Sequence, residues 1–313
     1  MSTRQDREIV DVDDFQKKFN ETDEKLVALR QGFYALAMDF GFHIENTFGD
    51  HRIQELRDNV IYRFFSSMFH CQLLMREHHF IGEKLEALLK RDPQQILRDV
   101  YPANPHFEYA EKMVSSIVDS IVFHLSSVYD YMSILIHFVS HKDRDKTLMW
   151  SQICRSARDP KNTLYIRGVA KAIDTVDRSF AIKLYDHRSE LLHRSADITL
   201  QAFQLKMDTG KFNIRFICTP QIRKTFKSFG EPDKDYTVSH FSFWLVNRTA
   251  ETIGELLVAL KHDIEQHSEF PHHTYADGSK PFIMLVDPIT HRPQSPSKEH
   301  WERFHEHFPG SAA

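Results

Sequence analysis

The chain has 313 residues, 41% of them hydrophobic and 25 of them phenylalanine, enough to core one large domain or two ordinary ones. A formal net charge of −4 excludes a protein that meets nucleic acid through a global basic field and leaves only local basic patches. Cys71, Cys154 and Cys218 lie far apart without a CxxC pair, which excludes a zinc knuckle and points to a reduced, cytoplasmic protein.

The start, MSTRQDREIVDVDD, has no apolar run of signal-peptide type, and residues 1–21 read as a charged arm. From Thr22, a plausible N-cap, Leu26, Leu29, Phe33, Leu36, Phe40 and Ile44 recur at helical steps. Gly49-Asp50 ends that helix. A second is expected from Arg52 to about His79, with shorter pieces over 81–89 and 93–100 before Pro102 and Pro105. Residues 107–141 form the clearest helix. Its wide apolar stripe runs from Val114 to Val139, beside a polar stripe of Ser126, Ser127, Asp130, Ser133 and His137. Asp119, His124, Asp130 and His137 interrupt this segment, so no membrane span is expected.

A short amphipathic piece over 148–155 and a turn at Asp159-Pro160 lead to a long helical region from Thr163 to about Ala196. The period then changes. Phe203, Leu205 and Met207, and later Phe212, Ile214, Phe216 and Cys218, alternate around Asp208-Thr209-Gly210-Lys211, which predicts a β-hairpin. Residues 220–235 read as a basic loop and 237–267 as a helix. In the Pro- and His-rich tail, Phe282 to Val286 is a candidate third strand for the hairpin. The fold class is therefore mainly α. Residues 22–200 form a helical bundle, and 201–313 supply a β-hairpin, a C-terminal helix and a tail packed on it.

Twenty histidines invite a metal reading. His137 and His141 sit four apart, and Glu190-x-x-His193 and Glu302-x-x-His305 have di-metal bundle spacing. The lone glutamates such a site needs on partner helices are missing, so no metal is expected. No GxGxxG, GxxxxGK[ST] or GxSxG occurs, and no cofactor is expected either.

The stretch 184–200, LYDHRSELLHRSADITL, stands out because Arg188 and His193 sit beside apparent core positions Phe180, Ile182 and Leu184. Buried cations need partners. Arg188-Ser189-Glu190-Leu191-Leu192-His193 resembles the Arg-x4-6-His signature of the HEPN superfamily, helical proteins of toxin–antitoxin, defence and RNA-processing systems. The resemblance covers about residues 107–200, with Ser189 where members often carry Asn, Asp or His. It implies an up-and-down HEPN-type bundle and a metal-independent endoribonuclease that cuts single-stranded RNA. It also implies a homodimer with two motifs in one cleft, and a partner of antitoxin type.

The chemistry stands apart from the family. RNA brings its own nucleophile, the 2′-OH. Histidine suits the proton transfer by its pKa, and arginine suits charge on the phosphorane by its fixed forked donors. His193 is then the base or acid and Arg188 the phosphate contact. Asp130 and Glu190 orient them, and His187 and Arg194 are candidate substrate contacts. Residues five apart on an ideal helix point about 140° apart, so the pair converges only on a bent helix or across a dimer. The alternative is a non-catalytic helical binding or dimerisation module, with Arg188 paired to Asp130 or Glu190.

Overall fold

The computed structural model describes residues 7–40, 44, 51–91, 105–193, 198–206, 211–231, 233–267, 285–286 and 293–294. The protein is mainly helical. In chain order it runs β1 (Ile9–Val10), α1 (Phe15–Phe40), α2 (His51–Arg91), α3 (Pro105–His141) and α4 (Trp150–Arg158). A 3-10 turn (Thr163–Ile166), α5 (Gly168–Val176), a π turn (Asp177–Ala181) and α6 (Ile182–His193) follow. Next come β2 (Ile198–Lys206), β3 (Lys211–Cys218), α7 (Pro220–Thr225), β4 (Asp235–Tyr236) and α8 (Val238–Gln266). The short strands β5 (Leu285–Val286) and β6 (Pro293–Gln294) come last.

Several boundaries differ from the expected ones. Helix α1 starts at Phe15, and Thr22 lies inside it, its hydroxyl donating to the Lys18 carbonyl (2.9 Å) rather than capping. The charged start is not all free of contacts, because β1 pairs in parallel with β4, Ile9 opposite Asp235. Helix α2 is one helix of 41 residues where two were expected. Leu74, Ile81 and Leu85 keep one buried phase through Gly82, and that burial outweighs the cost of about 1 kcal/mol for an interior glycine. The basic stretch after Pro220 begins as a helical turn, α7, with proline at its first position. The expected pieces over 93–100 lie outside the described residues.

Strands β2 and β3 pair antiparallel, with Phe203 opposite Ile214 and Lys206 opposite Lys211. The joining residues 207–210 lie outside the described ones. Leu285 and Val286 pair with Gln294 and Pro293, so among the described residues they add no strand to β2 and β3.

The chain divides into two compact units. The first comprises Met1–Asp23, Arg63–Ser127 and Phe180–Thr249, and the second Glu24–Tyr62, Val128–Ser179 and Ala250–Ala313. The first unit has an aromatic core. Phe226 and Phe229, in the turn after α7, pack against Phe241 and Trp244 of α8 in tilted and edge-on geometry at ring separations of 5.0–5.6 Å. Phe180 meets Phe226 at 5.9 Å.

The second unit is organised by polar ties. Tyr129 Oη and Thr252 Oγ1 share a buried hydrogen bond of 2.5 Å, and the Tyr129 ring packs on Trp150. Asp263, fully buried, accepts from Arg167 Nε (2.7 Å) and from the Gly168 amide (3.1 Å), an orphan donor at the start of α5. Asp177 in the π turn accepts from Trp150 Nε1 (2.8 Å) and Arg158 Nη2 (2.5 Å), while Arg158 Nε donates to Asp174 (2.5 Å).

By length and composition alone, Glu108–His141 within α3 is long and apolar enough to cross a membrane. Val114, Val118, Ile121, Leu125, Met132 and Leu135 instead bury completely inside the protein.

Candidate functional site

Helix α6 carries the motif, and its contacts in the first unit set its placement. Tyr185 Oη donates to the Ser126 carbonyl (3.0 Å), and three residues on, Arg188 Cζ lies 5.5 Å from the Phe123 ring centroid. Numbers rise along α6 as they fall along α3, so the two helices run antiparallel here. Phe180 and Leu184 are buried, as a four-residue step requires. Ile182 is 46% exposed, because two residues from Phe180 is the opposite side of a helix.

Arg188 is half-buried, with its guanidinium against the face of Phe123 in cation–π geometry. Among the described residues no carboxylate pairs with it, and its buried Nε has no hydrogen-bond partner. Three other arginines are held by carboxylates. Arg167 is tied to Asp263, Arg158 to Asp174 and Asp177, and Arg215 to Asp11 at 3.2 Å. Within the first unit, Glu190 forms no ion pair with Arg188 among the described residues. Phe123 was missed in the sequence, although it stands four and seven residues before Ser127 and Asp130 on the polar stripe of α3.

Glu190 is half-buried on α6. Asp130 belongs to the second unit, where its Oδ1 accepts from the Trp150 amide (3.0 Å) and so satisfies an orphan donor at the start of α4. His187, taken from sequence as a substrate contact, is a core side chain. It is 2% exposed, with its ring against Phe226 (5.5 Å) and Phe241 (5.8 Å). Leu184, one turn before it on α6, is buried on the same side. The backbone of His193 ends α6, while its side chain and all of Arg194 lie outside the described residues. Between positions 188 and 193 the helix is regular; the π turn lies upstream and introduces no bend between them.

No protein-family model, curated protein or solved structure matches the chain.

Of the metal spacings, His137 and His141 stack at 4.4 Å. His137 lies 3.6 Å from Asp143, and His141 Nε2 hydrogen-bonds Thr163 Oγ1 at 3.0 Å. Burial, then the neighbouring His141, lowers the His137 pKa. Among the described residues no group of three or more His, Cys, Asp and Glu is arranged to hold a metal ion. Glu302 and His305 fall outside the described residues. An open depression of about 370 Å³ is lined by Ser151, Arg155, Arg158 and Asp159 in the second unit, but Arg158 there is already neutralised by Asp174 and Asp177.

Proposed function

We propose that the chain is a metal-independent endoribonuclease of HEPN kind, a helical bundle with an appended β-hairpin that acts as a homodimer on single-stranded RNA. One observation carries this reading. Arg188 is half-buried, and no described carboxylate compensates it. Holding a cation out of water without a partner costs free energy, and an anion supplied from outside recovers it. A phosphate suits the forked donors of arginine.

In the proposed reaction, His193 removes the proton from a ribose 2′-OH. The 2′-oxygen attacks the adjacent phosphorus, and Arg188 stabilises charge on the phosphorane. The P–O5′ bond breaks, and the leaving 5′-oxygen takes a proton from a second histidine. The products are a 2′,3′-cyclic phosphate and a 5′-hydroxyl. The regular helix from Ile182 to His193 places positions 188 and 193 about 140° apart, so the reaction needs His193 from a second copy facing Arg188.

That same regularity favours the second reading, a non-catalytic binding module, if no dimer forms. The deciding experiment is RNA cleavage by the purified protein in EDTA. Wild type is expected to cut. His193→Ala is expected to lose roughly 10²–10⁴-fold through proton transfer, and Arg188→Ala roughly 10²–10³-fold through charge stabilisation. Arg188→Lys should rescue little. Equal cutting by wild type and both alanine variants, or a monomer that cuts nothing, transfers the protein to the binding-module reading.

A further inference from the structure

Within the first unit a line of aromatic and cationic side chains leads away from Arg188. The Arg188 guanidinium rests on Phe123. The next residue on α3, His124, accepts at Nδ1 from Arg63 Nη1 of α2 (3.4 Å), and its ring lies 5.1 Å from that of His70. His70 in turn meets the edge of Phe69 at 5.7 Å. Phe123, His124, Arg63 and His70 are all half-buried, and Phe69 is 47% exposed. One turn earlier on α2, Phe65 is 66% exposed.

Two features of this line set it apart from an ordinary surface. Large aromatic rings are left in water where a helix usually presents charge, and contacts between rings and guanidinium groups recur at Phe123 and at the next residue, His124. Arg63 and Arg188 supply its cationic groups. The His124 pKa is lowered by burial first and then by the nearby His70 and Arg63. Stacking platforms beside cations are how single-stranded nucleic acid is held without sequence reading, because every base has a π-face and every linkage a phosphate.

We propose that Arg63, Phe69, His70, Phe123, His124 and Arg188 form a track for single-stranded RNA. Bases stack on Phe69 and the histidine rings, and phosphates follow Arg63 towards Arg188. This rests on the ribonuclease reading for its ligand class and adds to it the surface that holds the strand beyond the scissile linkage.

The test separates the two claims. A fluorescein-labelled, 2′-O-methylated oligouridine of about ten nucleotides cannot be cut, and its anisotropy reports binding to the full chain. The dinucleotide UpA has a single linkage and reports chemistry alone. Phe69→Ala is expected to weaken oligouridine binding roughly 5- to 150-fold, the loss of one base–aromatic stack, and His124→Gln to weaken it less. Both should cut UpA at the wild-type rate.

The track is overturned if Phe65→Ala/Phe69→Ala binds the oligouridine as wild type does, or if wild type cuts UpA yet fails to bind it. It is equally overturned if sedimentation shows that the double variant splits an oligomer with RNA affinity intact, since the rings then serve a protein contact. Aromatic-dependent oligouridine binding by a protein that cannot cut UpA supports the track and removes the catalytic reading instead.

Discussion

Replacing Arg188 by methionine separates a cation kept for a ligand from one that ties the fold together. Methionine retains an unbranched stem of similar course over Phe123 and discards the guanidinium. The discarded group includes a buried Nε without a partner among the described residues, a defect of about 1–3 kcal/mol. The cation–π contact with Phe123 is lost at the same time, about 0.5–1 kcal/mol for a partly exposed pair. The balance is between neutral and roughly 2 kcal/mol stabilising, a rise of about 2–4 °C in melting temperature for each kcal/mol.

Arg167→Met is the control. It removes the partner of Asp263, a carboxylate with no exposure, and should destabilise by about 3–5 kcal/mol. Urea unfolding followed by tryptophan fluorescence and far-UV dichroism reads both variants against wild type. If Arg188→Met unfolds as readily as Arg167→Met, the guanidinium is a structural tie and the ligand argument collapses.

Acid should weaken the fold through His78. Its ring is packed by Phe15 and Phe216, its Nε2 lies 3.0 Å from Ser239 Oγ, and burial, opposed in part by Asp11, lowers its pKa from 6.5 to about 4. The unfolded chain therefore binds the extra proton between those values. The contribution is complete above pH 6.5 and falls by about 3 kcal/mol as pH drops to 4. His78→Gln should flatten the pH dependence of the urea midpoint by that amount, and parallel curves would contradict the assignment. At Gly230, φ is +77° and an added Cβ would lie 2.3 Å from the Tyr236 ring. Gly230→Ala should lower stability by about 1–3 kcal/mol, and Gly230→Asn should not recover it, because the ring overlap remains whatever φ the side chain tolerates. An unchanged melting temperature in Gly230→Ala would show that Tyr236 yields freely.

Helix α3 was legible because the stripe from Val114 through Val118, Ile121, Leu125, Val128, Met132 and Leu135 to Val139 falls at three- and four-residue steps and is buried. The continuity of α2 was not, since Gly82 and the pair His78-His79 look like an interruption. Only the common phase of Leu74, Ile81 and Leu85 shows the helix passing through. The π turn was invisible because one extra residue per turn leaves composition and approximate period unchanged. The motif itself was legible as a string, but its electrostatic state was not. Whether Arg188 meets a carboxylate depends on what α3 presents, and α3 presents Phe123. His187 misled for the same reason: polar neighbours in sequence suggested a surface, whereas Phe226 and Phe241 close over it.

The most direct test of the central claim uses an RNA whose nucleophile is confined to one place. An oligonucleotide with a single ribonucleotide in an otherwise 2′-O-methylated strand offers one free 2′-OH. In EDTA, the wild-type protein should cut once, on the 3′ side of that ribonucleotide. Mass spectrometry should find a 2′,3′-cyclic phosphate on one fragment and a 5′-hydroxyl on the other. Both should be strongly reduced in Arg188→Ala and His193→Ala. An intact strand, or cleavage at the methylated positions, would contradict attack by the 2′-OH and with it the role assigned to Arg188 and His193.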